Sequence, residues 1–118
     1  MALSLPNTAM SVNIDLGEAN DIHPVNKKDV GYRLALASRR LAYGERNLIA
    51  SGPVYQSMKT DGNRIILTFS GSAPVAKSGG GLKFFAIAGQ DKKFVWGMPV
   101  IKGHTLEVSS PAIDNLLR

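Results

Sequence analysis

Hydrophobic positions change their period along the chain. Met10, Val12, Ile14 and Leu16 alternate with Ser11, Asn13 and Asp15, the period of two expected of a strand with one buried face. A central strand of a parallel sheet would be apolar on both faces, so this alternation predicts an edge strand. Residues Gly17 to Val25 then form a loop. From residue 30 the period becomes helical: Val30, Leu34, Ala37 and Leu41 lie on one narrow stripe, with Lys28, Asp29, Tyr32 and Arg39 on the far side. Asn26 is suited to cap this helix of about five turns, and Asp29 favours its positive end. Gly44 supplies the stop.

After Glu45 the pattern holds no helix. Val54 to Lys59 and Arg64 to Ser70 flank Asp61-Gly62-Asn63, a hairpin signal. Gly71 to Gly81 reads as a loop of glycine and small residues. Leu82 to Ala88 predicts a strand, Gly89-Gln90-Asp91 a turn, and Phe94 to Ile101 a strand that Pro99 confines to an edge or a bulge. Lys102-Gly103 turns the chain into a last strand, Thr105 to Ser109. Strands joined by short turns predict an antiparallel β-sandwich-like module over residues 51–118. The fold class expected is therefore α+β, with a boundary near residues 45–52 and the end of an α/β domain over residues 1–50. One strand and one helix cannot bury their own apolar faces alone. They pack on the β module or on protein outside this segment.

Composition narrows the chemistry. The 118 residues are 44% hydrophobic and 19% charged, as in an ordinary globular protein. Cysteine is absent, which excludes disulfides, thiolate metal sites and a cysteine nucleophile. The net charge of +5 is scattered over Lys27-Lys28, Arg39-Arg40, Arg46, Lys77 and Lys92-Lys93 without interleaved aromatics. That pattern favours a solvated basic surface over a nucleic-acid partner. No apolar run approaches the ~20 residues that span a bilayer, so no membrane partner is expected. Met1 to Pro6 lacks a basic segment, and an export signal of a secreted or periplasmic parent would lie upstream. Gly79-Gly80-Gly81 lacks the Lys-Ser/Thr of a phosphate loop and reads as a flexible loop. Neither a cofactor nor a metal is expected, because the two histidines lie far apart.

One of those histidines, His23, stands in Gly17-Glu18-Ala19-Asn20-Asp21-Ile22-His23-Pro24, between the expected strand and helix. Rigid elements on both sides would fix its aim, which suits a general base. Asp21 and Glu18 are the nearest carboxylates. Taken alone, a histidine before proline is an ordinary loop residue, and Asp21 caps a turn. His104 follows a Lys-Gly turn and reads as an exposed turn residue. None of the ten serines sits in a Gly-x-Ser-x-Gly elbow or a Gly-Asp-Ser context.

Asp21-Ile22-His23-Pro24 with Asn26-Lys27-Lys28-Asp29-Val30-Gly31-Tyr32-Arg33-Leu34-Ala35-Leu36 resembles the last catalytic block of the sialate O-acetylesterase family, a branch of the SGNH (GDSL-like) hydrolases. The resemblance continues through Ala42-Tyr43-Gly44, Ser51-Gly52-Pro53-Val54-Tyr55, Phe85-Ala86-Ile87-Ala88-Gly89 and Val108-Ser109-Ser110-Pro111-Ala112. It implies a C-terminal segment: the final strand, loop and helix of an SGNH domain, then a β-sandwich-like module. It further implies hydrolysis of O-acetylated sugars by a serine nucleophile with His23 as its base, the serine lying in the remainder of the SGNH domain. This segment alone would then be inactive. Many SGNH hydrolases carry a carboxylate three residues before the histidine. That position is Asn20 here, which leaves Asp21, Glu18 or a backbone carbonyl to orient the ring.

A second reading is a non-catalytic β module that binds carbohydrate or a protein partner. Trp96, Phe84 and Phe85 could then form a sugar-stacking platform, although alternating strands place such residues in the core. The tail Ile113-Asp114-Asn115-Leu116-Leu117-Arg118 departs from the aromatic- and asparagine-rich continuation of the family. An edge left open there would pair with another copy and give a homo-oligomer.

Overall fold

The computed structural model describes residues 4–76, 81–113 and 116, and the chain divides into two compact units, Met1–Ser51 and Gly52–Arg118. In the first unit the helix begins where its cap is: α1 spans Lys27–Leu41, and the Asn26 side chain accepts from the Asp29 backbone N–H at 3.1 Å. The Asn26 amide also donates to the Asp29 carboxylate at 2.8 Å. This side-chain pair replaces the reciprocal backbone bond of a capping box. The 15 residues make about four turns, one fewer than the sequence suggested. Gly44, at φ +73°, takes the left-handed conformation that ends helices. The apolar stripe is open: Leu34 is 52% exposed and Leu41 45%, and no helix residue is buried.

The edge strand expected over Met10 to Leu16 does not form. A strand is defined by its ladder partner, and none of the described residues provides one. Asn13 to Leu16 turn instead, the Leu16 N–H donating to the Asn13 carbonyl at 3.0 Å. The Val12 carbonyl accepts from the Arg33 guanidinium at 2.6 Å rather than from a strand. The alternating side chains face no core, with Met10 50%, Val12 56% and Ile14 93% exposed.

Among its described residues the second unit has strands as its only regular elements. A four-stranded antiparallel sheet is built from β1 (Val54–Asp61), β2 (Arg64–Ser70), β5 (Met98–Lys102) and β6 (Thr105–Ser109), in the order β1-β2-β6-β5. A two-stranded ribbon pairs β3 (Ala86–Ala88) with β4 (Phe94–Trp96). Among the described residues, one helix with antiparallel sheets places the chain in the α+β class, as expected. Asp61 pairs with Arg64, so the hairpin loop is Gly62-Asn63, and of these only Gly62 takes a positive φ, +60°. That is the arrangement of a type II′ turn, whose twist matches the flanking strands.

The core follows from the alternation in β6. Leu106 and Val108 are each 1% exposed and meet Ile87 of the ribbon, Ile113 and Leu116, with Ile65, Leu67 and Phe69 of β2 packed beside them. On the opposite face Glu107 takes Arg64 at 3.2 Å and Lys102 at 3.0 Å. The hydrogen bond from Lys102 is the main cause that holds its carboxyl below the usual range. At the tail, Leu116 is 5% exposed, packs in the core and bridges to Gly89. Asp114, Asn115, Leu117 and Arg118 lie outside the described residues, as do Gly79 and Gly80 of the expected flexible loop.

Two strands are shorter than the sequence suggested. Leu82 to Ala88 is reduced to Ala86–Ala88 because Phe84 takes φ +66°, which a strand cannot accommodate. The expected Phe94 to Ile101 strand is broken at Gly97, where the chain passes from the ribbon to the sheet. There the Gly97 N–H donates to the Phe85 carbonyl at 2.9 Å. A Cβ at Gly97 would stand 2.5 Å from Val108 Cγ1, itself buried in the core. Gly97→Ala is therefore expected to cost about 1–3 kcal/mol by overpacking and to lower the melting temperature by several degrees in a thermal scan. An unchanged melting temperature would mean that Val108 can move aside. Pro99 lies in the outermost strand β5, where proline is tolerated.

Candidate functional site

The loop from Glu18 to Lys27 is tied to itself by its own polar groups. The Asp21 N–H donates to the Glu18 carbonyl at 3.4 Å, closing a turn over Ala19 and Asn20. The Glu18 carboxylate then accepts from the Val25 N–H at 3.3 Å, spanning the loop. At the far end the Lys27 amine donates to the Pro24 carbonyl at 2.8 Å, against the first turn of α1. Glu18 is thus occupied in bracing the loop and does not reach the imidazole.

Asp21 and His23 are brought together. The Asp21 Oδ1 accepts from the His23 backbone N–H at 2.7 Å and lies 3.5 Å from His23 Nδ1. The first is a well-formed bond of the kind that aspartate makes two residues ahead in a turn. The second is a long approach, which leaves the carboxylate beside the ring. His23 has a side chain 80% exposed. Asn20, in the position where SGNH hydrolases often carry a carboxylate, lies in the turn. With Nδ1 on the side of Asp21, Nε2 is the ring nitrogen left to meet another group. An imidazole so placed can accept and return one proton; chemistry beyond that needs a nucleophile brought to it.

A clamp next to the loop is not visible in the sequence pattern. Arg33 binds Asp15 through two hydrogen bonds, at 2.6 and 2.8 Å, while also holding the Val12 carbonyl. The fork geometry matches a carboxylate, and the hydrogen bond donated to Asp15 is the main cause that raises the guanidinium above its ordinary value. The clamp fixes the segment entering the loop against the helix leaving it. Arg33 was readable as part of the Asn-Lys-Lys helix, but its partner 18 residues earlier was not. His104 is an exposed turn residue, as expected. Among the described residues no group of histidine, aspartate or glutamate could hold a metal ion, and no helix is long and apolar enough to cross a membrane.

The aromatic residues contradict the core expectation in part. Phe85 packs against the core, but Phe84 is 87% and Trp96 71% exposed. In β4 the inward residue is Val95, paired with Ile87, so Phe94 and Trp96 alternate outward.

Comparison with known proteins bears on the loop and the sheet together. No family model matches the chain. Human sialate O-acetylesterase is 44% identical over 59 residues, covering 47% of this chain and 11% of the human protein. The mouse sialate O-acetylesterase is 48% identical over 54 residues, covering 42% of this chain and 10% of its own. A solved carbohydrate acetylesterase from Xanthomonas citri superimposes on 98% of this chain with a TM-score of 0.91 and 44% identity. The chain spans 27% of that structure and about a tenth of the length of the curated relatives.

Proposed function

We propose that this chain, related to sialate O-acetylesterases over about half its length, is the C-terminal part of a carbohydrate O-acetylesterase and supplies the general base, His23. In this reading residues 1–50 complete an SGNH α/β domain whose nucleophilic serine lies outside the segment, and residues 51–118 are an accessory β module. The observation that carries the assignment is the Asp21–His23 arrangement in a braced loop ahead of a capped helix, within a chain 44% identical to a carbohydrate acetylesterase.

The chemistry follows from one imidazole used twice. His23 Nε2 takes the proton of the serine hydroxyl as its oxygen attacks the acetyl carbonyl. The imidazolium returns that proton to the sugar oxygen as the ester C–O bond breaks, leaving an acetyl-enzyme and a free sugar hydroxyl. Water then attacks the acetyl-enzyme, His23 accepting its proton and passing it to the serine oxygen as acetate departs. Asp21 on the Nδ1 side orients the ring and favours the imidazolium.

Two further features suit this role. The open stripe of α1 and the Met10 to Leu16 segment, which has no strand partner among the described residues, are the apolar surface and the backbone that the rest of an α/β domain would cover and pair. The segment alone is therefore expected to show no turnover of an acetylated sugar, and activity is expected when the remainder of the domain is supplied in trans or in the intact chain. Turnover by the isolated segment would place the nucleophile within it and overturn the assignment. Within the complete enzyme, Asp21→Asn should lower kcat/KM by about 10²-fold or more, with Glu18→Gln acting only through loop stability. Wild-type kinetics for Asp21→Asn would leave a serine–histidine dyad oriented by backbone.

A further inference from the structure

We propose that Arg33 is a positioning residue for His23: its grip on Asp15 and the Val12 carbonyl sets where the loop presents the imidazole. The inference rests on His23 as the base and adds a residue that acts through it. The guanidinium holds the entering turn at two points. One nitrogen donates to the Val12 carbonyl and to one Asp15 oxygen, both at 2.6 Å, and the other donates to the second Asp15 oxygen at 2.8 Å. Val12 stands just before the turn that the Leu16 N–H closes on Asn13, and Asp15 lies within it. Two anchors on one turn fix its orientation as well as its distance, which a single contact does not.

Arg33 lies in the second turn of α1, among the half-buried helix positions Val30, Leu36 and Ala37. Asp15 precedes it by 18 residues, and His23 stands near the middle of that span. The clamp therefore closes the stem of the loop that carries the base. The bonds from Val25 to Glu18 and from Lys27 to Pro24 set the loop's own shape. The stem contact decides how that shape sits on the helix. Energetics separate this role from a structural one. The paired side chains are 33% and 52% exposed, and an ion pair screened by solvent contributes little to stability. Proton transfer is far more sensitive to placement, an error of about 1 Å costing about 10²-fold in rate. Arg33 should thus matter more to turnover than to folding. Lysine would not replace it, because an ammonium is a point charge without the fork that meets both carboxylate oxygens.

The test measures kcat and KM on an acetylated sugar in the complete enzyme that carries this segment, with Arg33→Met and Asp15→Asn made both alone and in a His23→Ala background. With His23 present, Arg33→Met should lower kcat by about 10- to 10²-fold and leave KM little changed, since the base acts in the transition state. Asp15→Asn should follow it, and Arg33→Lys should recover only part of the loss. With His23 replaced by alanine, Arg33→Met should cost nothing further, because a residue that acts through the imidazole has nothing left to position. Wild-type kcat for both Arg33→Met and Asp15→Asn would overturn the inference, as would an equal loss with and without His23. Failure of both variants to fold, read by circular dichroism, would make the clamp structural and equally overturn it. Near-normal turnover in His23→Ala alone would instead remove the base assignment, and this inference with it.

Discussion

His23→Ala in the complete enzyme that carries this segment is expected to lower kcat/KM by about 10⁴-fold or more, with folding intact. A serine hydroxyl is nearly inert as a nucleophile unless a base removes its proton during attack. The substitution also removes the acid that protonates the departing sugar oxygen, so both half-reactions slow. Folding should survive because the His23 side chain is 80% exposed and the loop is braced by other groups. The bonds from Val25 to Glu18, from Lys27 to Pro24 and from Asp21 to Glu18 do not involve the imidazole. Steady-state kinetics on an acetylated sugar, with circular dichroism beside them, measures both halves of the expectation. Loss of the fold together with activity would make His23 structural.

Leu106→Ala should be the most damaging single change to the β module, at about 2–5 kcal/mol. Leu106 is 1% exposed in β6, between β2 and β5, and its truncation leaves a cavity that both neighbouring strands and the ribbon would have to close. The core is small: Leu106 clusters with the buried residues Ile87, Val108, Ile113 and Leu116. A loss of that size is a large part of the stability of any small domain. Denaturant unfolding of the 118-residue chain should show a midpoint well below that of the parent chain. By contrast, Val100→Ala, at a residue 52% exposed on edge strand β5, should shift the midpoint little. Equal shifts for the two would contradict the placement of the core.

How much of this was legible depended on whether the deciding partner was local. Asn26 and Asp29 meet within one turn, so the start of α1 could be read from the sequence. Gly62-Asn63 fixes its hairpin through the conformation of Gly62 alone. The alternation of Thr105 to Ser109 likewise sufficed to predict β6. The Met10 to Leu16 segment has an equally clear alternation, yet it forms no strand, because pairing requires a neighbour that none of the described residues provides. The aromatic row failed for a related reason. Phe94, Val95 and Trp96 alternate whichever face is buried, and only the pairing of Val95 with Ile87 decides it.

The site was legible in the same uneven way. The sequence singled out His23 and Asp21, and the structure brings them within 3.5 Å. It did not reveal that Glu18 would be used up across the loop, since that depends on where the Val25 N–H points. Nor did it reveal that Arg33 would clamp Asp15, 18 residues away. The relationship to sialate O-acetylesterases expected from the Ile-His-Pro block is borne out by the comparisons.

The base role of His23 is tested most directly by chemical rescue. In the complete enzyme carrying His23→Ala, kcat/KM on an acetylated sugar would be measured with and without added imidazole. A severe loss that free imidazole partly restores is expected, because the imidazole supplies the proton acceptor that the side chain no longer provides. Near-normal kcat/KM in the variant before any imidazole is added would contradict it.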